Sequence, residues 1–373
     1  MDALMLPLNW QKVRLGDIGK PCMCKRVMKH QTTRYGEIPF YKIGTFGNTA
    51  DAFISKKLFL EYKTKYSFPK KGDILISASG TIGRAVIYDG KPAYFQDSNI
   101  VWIDNDETLV KNDFLFYAYS NVKWNTEHTT ILRLYNDNFR NTLIPLPPLN
   151  EQSAIASILS DLDRYLCVLD ALILKKESVK KALSFELLSQ RKRLKGFNQA
   201  WQRVRLGDIT NYLTSNLSVE QITQQGKIKV YDVNNFIGYT DTTFISDKPY
   251  ISIVKDGSVG RVRILPPKTN ILSTMGALIA NHRTTTEFLF YLLSNFDFKN
   301  FTSGSIIPHI YFKDYKEKTI FLPPLNEQIA IANILSTLDN EIASLKNKKR
   351  QFENIKKALN HDLMSAKIRV LKK

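Results

Sequence analysis

Two long segments of the chain repeat apolar residues at alternating intervals of four and three. Each pattern follows residue 149 or 325 and extends, with one break in its spacing, over roughly 45 residues, or about 65 Å of helix. This spacing is typical of a coiled-coil seam. The seam positions are Ile155, Leu159, Leu162, Leu166, Leu169, Ile173, Val179, Leu183 and Leu187, and then Ile331, Leu335, Leu338, Ile342, Leu345, Ile355, Leu359 and Leu363.

The same seven letters, LPPLNEQ, precede both patterns, at residues 146–152 and 322–328. The two prolines end the preceding element, because proline fixes φ and has no N–H. Asn150 and Asn326 are predicted N-caps, whose side chains accept from first-turn amides. The glutamate after each asparagine lies where the helix dipole favours negative charge. The motif therefore predicts a helix start.

Charge along the two predicted helices predicts how they pair. The net charge is −3 over residues 150–174 and +6 over 175–195, and it is −3 over 326–345 and +8 over 346–373. Parallel packing would place the basic halves side by side, whereas antiparallel packing sets each against an acidic half. We therefore predict an antiparallel coiled coil. The alternative is two separate amphipathic helices, each packed on its own domain.

Other blocks of sequence repeat around these helices. WQKVRLGDI at 10–18 recurs as WQRVRLGDI at 201–209, and GTIGRAVI at 80–87 corresponds to GSVGRVRI at 257–264. The chain is therefore a tandem duplication in which conserved blocks frame divergent sequence. The offset between the copies is 191 residues at the WQ motif and 177 residues at the glycine motif. The first copy therefore has a longer segment within residues 19–79.

The sequence between the blocks predicts globular domains with short strands and few helices. GDILISA and AVIY are predicted strands, and KNDFLFYAYSN and TTEFLFYLLSN are predicted helices. We predict an α+β (mixed α/β) protein with internal pseudo-two-fold symmetry, in which two long helices separate two globular domains. The predicted boundaries are 1–149 for the first domain, 150–195 for the central helix, 196–325 for the second domain and 326–373 for the C-terminal helix.

Composition narrows the class of protein. The net charge of +18 and a pI near 9.6 favour a polyanionic partner, usually nucleic acid. Three cysteines are too few for a disulfide framework. No apolar run is long enough to cross a bilayer, and the N-terminus does not resemble a signal peptide. We expect a cytoplasmic protein that is not associated with a membrane.

Hydroxyl, basic and aromatic side chains at glycine turns and loops are candidates for DNA contact. Backbone amides of such a turn can hold a phosphate, and arginine can contact a guanine edge. A plain hairpin turn with a surface arginine explains any single position equally well. The predicted DNA-binding residues are Tyr41, Lys42, Ser79, Thr81, Arg84, Thr129, Thr130, Arg133, Tyr231, Ser258, Arg261, Arg263, Ser303, Ser305 and His309.

The sequence contains no recognisable catalytic motif. It contains no P-loop, no dinucleotide-binding G-x-G-x-x-G, no Asn-Pro-Pro-aromatic tetrad of an amino-methyltransferase and no carboxylate cluster for phosphodiester cleavage. The five histidines are scattered along the chain. We predict no catalytic residue, no metal site and no enzymatic activity.

The repeated L-P-P-L-N-E-Q-x-x-I-A, the helices with basic ends and the W-Q-x-V-R-L-G-D-I starts resemble the specificity subunits of type I restriction–modification systems. The resemblance covers essentially the whole chain. It implies that each variable domain is a target-recognition domain for one half of a bipartite, asymmetric site on double-stranded DNA. It also implies that the coiled coil spaces these domains and docks two methyltransferase subunits.

The same resemblance implies that restriction subunits join for cleavage. S-adenosylmethionine, ATP and Mg²⁺ would then belong to the partner subunits, and no cofactor is expected in this chain. The basic ends of the helices would form a surface that contacts DNA, a docking surface for a partner subunit, or a solvent-exposed face. Two alternatives stay open: a coiled-coil scaffold with protein-binding end domains, and a self-sufficient modifying enzyme.

Overall fold

The protein is represented by a computed structural model in which residues 7–128 and 132–370 are described. The chain divides into two compact units. Unit 1 contains the residues up to Leu169 together with those from Lys348 onward, and unit 2 contains Asp170–Asn347.

The two longest helices each begin in one unit and end in the other. The α-helices of the described residues are α1 (Leu15–Ile18), α2 (Lys56–Lys65), α3 (Asn112–Tyr119), α4 (Asn136–Arg140), α5 (Leu149–Leu188), α6 (Thr286–Ser294), α7 (Phe312–Tyr315) and α8 (Leu325–Met364). Short 3₁₀ turns lie at Lys29–Gln31, Leu206–Asp208, Val219–Gln221 and Lys299–Phe301. None of these helices is both long and apolar enough to cross a membrane.

Short strands form the sheets of unit 1. They are β1 (Gln11–Arg14), β2 (Gly19–Met23), β3 (Ile38–Tyr41), β4 (Ala52–Ile54), β5 (Ile74–Ser77), β6 (Ala85–Ile87), β7 (Tyr94–Phe95), β8 (Ile100–Asn105), β9 (Glu127–His128), β10 (Leu132–Arg133) and β11 (Leu143–Leu146). The largest sheet is antiparallel with the order β2-β8-β5-β6. A second sheet has the order β4-β3-β7, in which β3 and β7 are parallel. Two-stranded pairs join β1 to β11 and β9 to β10.

Unit 2 repeats this topology strand for strand. Its strands are β12 (Gln202–Arg205), β13 (Thr210–Thr214), β14 (Ile228–Tyr231), β15 (Phe236–Thr240), β16 (Tyr250–Val254), β17 (Val262–Leu265), β18 (Asn270–Ile271), β19 (Met275–Ala280), β20 (Thr302–Ser303), β21 (His309–Ile310) and β22 (Thr319–Leu322). The sheets are β13-β19-β16-β17, β15-β14-β18, β12-β22 and β20-β21. The duplication and the mixed α/β class predicted from the sequence are confirmed.

Helix α2 accounts for most of the longer segment of the first copy. It lies between β4 and β5, and the corresponding connection between β15 and β16 in unit 2 contains no helix. Ser55 caps α2 by accepting from the Leu58 amide at 3.2 Å. The insertion therefore adds one short surface helix and leaves the strand order unchanged.

Within each unit, α5 and α8 run antiparallel. In unit 1, Asp163 pairs with Lys356, and the rings of Tyr165 and Phe352 lie 4.7 Å apart. Residues later in α5 therefore contact residues earlier in α8. In unit 2, Lys176 and Glu341 pair at 2.6 Å. Acidic residues from each helix start meet basic residues from the other helix end, which confirms the orientation predicted from charge.

The seam is only partly as predicted. Ile155, Leu159 and Leu169 are buried, as are Ile331 and Leu335. Val179 and Ile355 are 40% and 50% exposed, so their assignment to the seam was wrong. The buried face moves after the break in spacing, since Ser184 is only 3% exposed. An α-helix turns every 3.6 residues and drifts from a strict seven-residue repeat.

The helix ends also differ from prediction. Each helix has 40 residues rather than roughly 45. Both stop where the backbone turns left-handed, with φ of +63° at Gln190 and +57° at Ala366, as expected of a helix C-terminus. At the starts, Asn150 and Asn326 lie inside the first turn rather than at the N-cap.

The prolines explain why each N-cap lies two residues before the predicted asparagine. The Pro148 carbonyl already accepts the Gln152 amide at 2.9 Å, and the Pro324 carbonyl accepts the Gln328 amide at 3.0 Å, so the prolines stand at the N-cap positions. Asn150 Oδ1 instead accepts from the next amide, that of Glu151, at 2.9 Å. Each asparagine still binds a first-turn N–H, as the sequence predicts.

The glutamate of each LPPLNEQ motif is the centre of a buried Glu–Arg–Trp cluster. In unit 2, Glu327 is 0% exposed and accepts two hydrogen bonds from Arg193, at 3.0 and 2.7 Å, and one from the Trp201 indole at 2.9 Å. In unit 1, Glu151 accepts from Arg369 at 2.6 and 2.9 Å and from the Trp10 indole at 3.1 Å. The hydrogen bond to Glu151 raises the pKa of Arg369.

The glutamine of the motif attaches each long helix to its globular part. Gln152 is fully buried, accepts from the Lys111 amide at 2.8 Å and donates to the carbonyls of Leu109 and Pro147. Gln328 has equivalent contacts in unit 2, where it accepts from the Thr285 amide at 3.1 Å. LPPLNEQ therefore repeats because its Glu and Gln each fix a separate junction.

We predict that Glu151→Gln destabilises unit 1. The change leaves the Arg369 charge beside an amide, and removing one partner of a buried ion pair costs roughly 3–5 kcal/mol. Because the Arg369 side chain is 28% exposed, we expect a smaller loss of about 2–3 kcal/mol. Chemical denaturation of the full chain measures the free energy of unfolding.

Glu353→Gln is the matched control, because Glu353 lies in the same unit, is 50% exposed and pairs with Lys349 on the surface of α8. We expect a change within about 0.5 kcal/mol. Equal effects of the two substitutions would show that the Glu–Arg–Trp cluster does not stabilise the unit.

Candidate nucleic-acid interface

A glycine turn connects β5 to β6 in unit 1 and β16 to β17 in unit 2. Gly83 and Gly260 have φ of +82° and +80°. A Cβ on Gly83 would lie 2.1 Å from Trp124 Nε1, and one on Gly260 would lie 2.6 Å from the Phe298 ring. The repeated G-x-x-G motif is therefore required by backbone conformation and by close packing on an aromatic side chain.

The amides of this turn are largely used inside the protein. In unit 2, Gly257 donates to the Pro308 carbonyl at 2.9 Å, Val259 to the Gly257 carbonyl at 2.8 Å, and Gly260 to the Val254 carbonyl at 2.9 Å. These three groups cannot hold a phosphate at the same time. The prediction that the turn amides hold a phosphate is wrong for them, which leaves its side chains as candidates.

In both units the glycine turn lies beside the short strand that precedes the last small helix. An isolated antiparallel bridge joins Ser79 to Arg133 in unit 1, and another joins Asp256 to His309 in unit 2. The flanking hydrogen bonds are also equivalent, because the Leu134 and Ile310 amides each donate at 2.9 Å to the residue before the bridge. Ser79 and Asp256 thus occupy one backbone position, and Arg133 and His309 occupy another.

Arg133 is held by neutral groups. Its guanidinium donates to Ser98 Oγ at 2.9 Å and to Asn99 Oδ1 at 3.3 Å, and the Ser79 hydroxyl donates to the same Asn99 oxygen at 2.9 Å. Ser98 has a left-handed φ of +54°, which is uncommon outside glycine. The predicted residues Ser79 and Arg133 are therefore brought together.

His309 is held by a charged group. Its Nδ1 lies 2.7 Å from Asp256 Oδ1, and its ring is stacked against Tyr311 with centroids 6.5 Å apart. Burial, with a smaller contribution from the charge of Asp256, raises the pKa of Tyr212. The predicted residue Ser303 pairs with His309 across β20 and β21, and Ser303 and Ser305 are both exposed.

Other predicted residues of unit 1 lie beside an aromatic groove of about 450 Å³. Tyr41 lines the groove and stacks on Phe95 at 5.8 Å, while Arg84 donates to the carbonyl of the lining residue Phe46 at 2.8 Å. Burial raises the pKa of Tyr88, also in the groove, to about 12. Lys42, which follows Tyr41, pairs with Asp51 at 2.8 Å.

The remaining predicted residues lie on or near the glycine turns, or outside the described residues. In unit 2, the Arg263 guanidinium lies 5.3 Å from the Tyr231 ring centre and donates to the Asn234 carbonyl at 2.9 Å. Ser258 and Arg261 are exposed on the glycine turn. Thr81 is exposed on the turn of unit 1 and its carbonyl accepts from the Ser77 hydroxyl. Thr129 and Thr130 lie outside the described residues.

Sequence reasoning missed the partners that orient these side chains. Ser98 and Asn99 hold Arg133, and Asp256 holds His309. Ser98 and Asn99 carry no recognisable motif. Asp256 could have been found by aligning the two copies, because it stands where the first copy has Ser79. Across the described ranges, 7–128 and 132–370, no group of His, Cys, Asp and Glu is suited to hold a metal ion.

Comparison with known proteins adds independent findings. The family described as Type I restriction modification DNA specificity domain matches residues 7–175 and 198–354. A Haemophilus influenzae protein named as a type I restriction enzyme specificity subunit is 64% identical over 148 residues, which cover 39% of this chain and 38% of that protein. The specificity subunit of the MjaVIII type I restriction enzyme of Methanocaldococcus jannaschii is 26% identical over 99% of this chain and 95% of its own length.

A solved structure has the same fold. The type I restriction–modification S subunit of M. genitalium aligns with a TM-score of 0.64 at 20% identity, over 96% of this chain and 98% of that chain. The family match covers both copies of the duplicated unit and most of the chain. The chain therefore belongs to the type I restriction–modification DNA specificity subunits, the non-catalytic recognition subunits of those systems.

Proposed function

We propose that each unit contacts one half of a bipartite, asymmetric site on double-stranded DNA. The observation that carries this proposal is the pair of equivalent bridges, Ser79–Arg133 and Asp256–His309. One backbone frame presents an arginine with neutral partners in unit 1 and a histidine with a carboxylate in unit 2. Side chains of different chemistry at equivalent positions are expected to make different contacts with DNA, so the two half-sites should differ.

The charge of the chain supports DNA as the ligand. The net charge of +18 favours the phosphate backbone, where lysine and arginine contribute affinity by releasing counterions. Arg261, on the glycine turn of unit 2, is exposed and suited to such a contact. In this proposal backbone contacts fix the position of each unit, and the loop side chains choose the sequence.

We also propose that two methyltransferase subunits dock on the chain, one on each unit. Equivalent grooves support this arrangement. A groove of about 750 Å³ in unit 1 is lined by Asn121, Leu166 and Lys356, among others. A groove of about 400 Å³ in unit 2 is lined by the corresponding residues, Asn295, Ile342 and Lys180.

Restriction subunits would join this assembly for cleavage. S-adenosylmethionine would then be a cofactor of the methyltransferase subunits, and ATP and Mg²⁺ would be cofactors of the restriction subunits. The assembly would act in the cytoplasm, where the DNA is. In this proposal the chain contributes the choice of sequence, and the partners carry out the chemistry.

We predict that exchanging residues 19–145 for those of a relative changes one half of the methylated site and leaves the other half unchanged. The exchange replaces β2 to β10 and most of β11 but keeps Trp10, Glu151 and Arg369, so the Glu–Arg–Trp cluster is retained. Mapping methylated adenines after co-expression with the methyltransferase reveals both half-sites. The matched exchange of residues 210–321 should change the other half. A change in both halves after either exchange would contradict the assignment of one unit to each half-site.

We predict that duplex binding by the full chain weakens steeply with salt. If six to ten phosphates are contacted, affinity should fall by about 10³–10⁵ between 50 and 200 mM salt. Fluorescence anisotropy of a labelled duplex measures this slope. Binding that does not respond to salt, or no retention of DNA, would favour the scaffold with protein-binding domains. Methyl transfer by the chain alone would favour the self-sufficient enzyme.

A further inference from the structure

We infer that His309, oriented by Asp256, contacts the edge of a base in the half-site of unit 2, while Arg133 at the equivalent position of unit 1 contacts a phosphate. The inference rests on the proposed DNA recognition and assigns a chemical role to two positions of that interface. It also names Asp256 as a positioning residue. The equivalence of the two positions follows from the bridges that hold them.

The Asp256 contact fixes which ring nitrogen of His309 faces outward. A carboxylate only accepts, so Nδ1, at 2.7 Å, donates the hydrogen bond. Within the described residues Nε2 has no hydrogen-bond partner, and the side chain is 36% exposed. When the ring is neutral, Nε2 presents a lone pair. An acceptor of this kind matches the exocyclic amino group of adenine or cytosine in the major groove.

Two features disfavour a phosphate contact at His309. The carboxylate of Asp256 lies beside the ring and would repel phosphate oxygens. The preceding loop also carries apolar side chains, since Ile306 is 91% exposed and Ile307 is 55% exposed. Exposed aliphatic groups fit against base edges and the thymine methyl group, whereas the charged phosphate backbone offers them no partner.

Arg133 differs from His309 in the charge of its hydrogen-bond partners. Its hydrogen-bond partners, Ser98 and Asn99, are uncharged, so they supply no negative charge to offset the guanidinium. In the described part of the chain no carboxylate forms an ion pair with it. A charge that is oriented but not neutralised is suited to a phosphate and contributes to counterion release.

The test uses the full chain co-expressed with the methyltransferase, a pool of randomised duplexes, and sequencing of the bound fraction. For His309→Gln we expect the preference at one base pair of one half-site to weaken about 5- to 10-fold, as for loss of one hydrogen bond. The other half-site and the salt slope should not change. For Arg133→Gln we expect weaker binding to all sequences and a salt slope lower by about one.

Asp256 has its own pair of variants. Asp256→Ala should weaken the same base preference as His309→Gln, because the ring loses its orientation. Asp256→Asn keeps an oxygen that accepts from Nδ1 and should retain most of the preference. His282→Gln is the control, because His282 is exposed in the same unit and has no part in the bridge. Thermal unfolding of every variant separates altered recognition from loss of fold.

Each other outcome overturns the inference. A uniform loss of binding with a lower salt slope for His309→Gln would make His309 a phosphate contact, and an unchanged site would remove it from the interface. An unchanged base preference in Asp256→Ala would remove the positioning role. If the unmodified chain selects no sequence from the pool, the proposed DNA recognition itself fails, which is a different result from failure of the His309 variants alone.

Discussion

A carboxylate buried away from water needs hydrogen-bond donors and a positive charge beside it. This requirement determines which parts of the chain are held together in both units. Glu151 and Glu327 are almost completely buried, and each accepts two hydrogen bonds from an arginine and one from an indole. The three groups come from the start of one long helix, the segment after the other long helix, and the segment before the first strand of the unit. Satisfying one charge therefore fixes three separate parts of the chain together.

This shared frame explains why the two copies can diverge elsewhere. Residues of the Glu–Arg–Trp clusters, the buried glutamines and the glycines of the turns are the same in both copies, because burial and positive φ allow few substitutes. The bridge positions are constrained only through their backbones, so Ser79 and Arg133 can be replaced by Asp256 and His309. Constant architecture with variable surface chemistry is what a family of DNA specificity subunits requires.

Much of the fold could be predicted from sequence, because duplication, seam spacing and charge are periodic or additive properties. The antiparallel pairing followed from charge alone and is seen in pairs such as Asp163–Lys356. The exposure of Val179 and Ile355 could not be predicted, since it depends on how helical drift accumulates after a break in spacing. The contact of Arg133 with Ser98 could not be predicted either, because the two residues are distant in sequence and Ser98 has an unusual φ.

The composition of unit 1 has a consequence for how the protein is made. Unit 2 is a continuous stretch of chain, whereas unit 1 combines residues up to Leu169 with residues from Lys348 onward. Arg369, which pairs with Glu151, is synthesised 218 residues after it. Domains of nascent chains generally fold from the N-terminus onward. Here the ribosome releases all of unit 2 before it releases Arg369, so unit 1 starts to be translated before unit 2 and is completed after it.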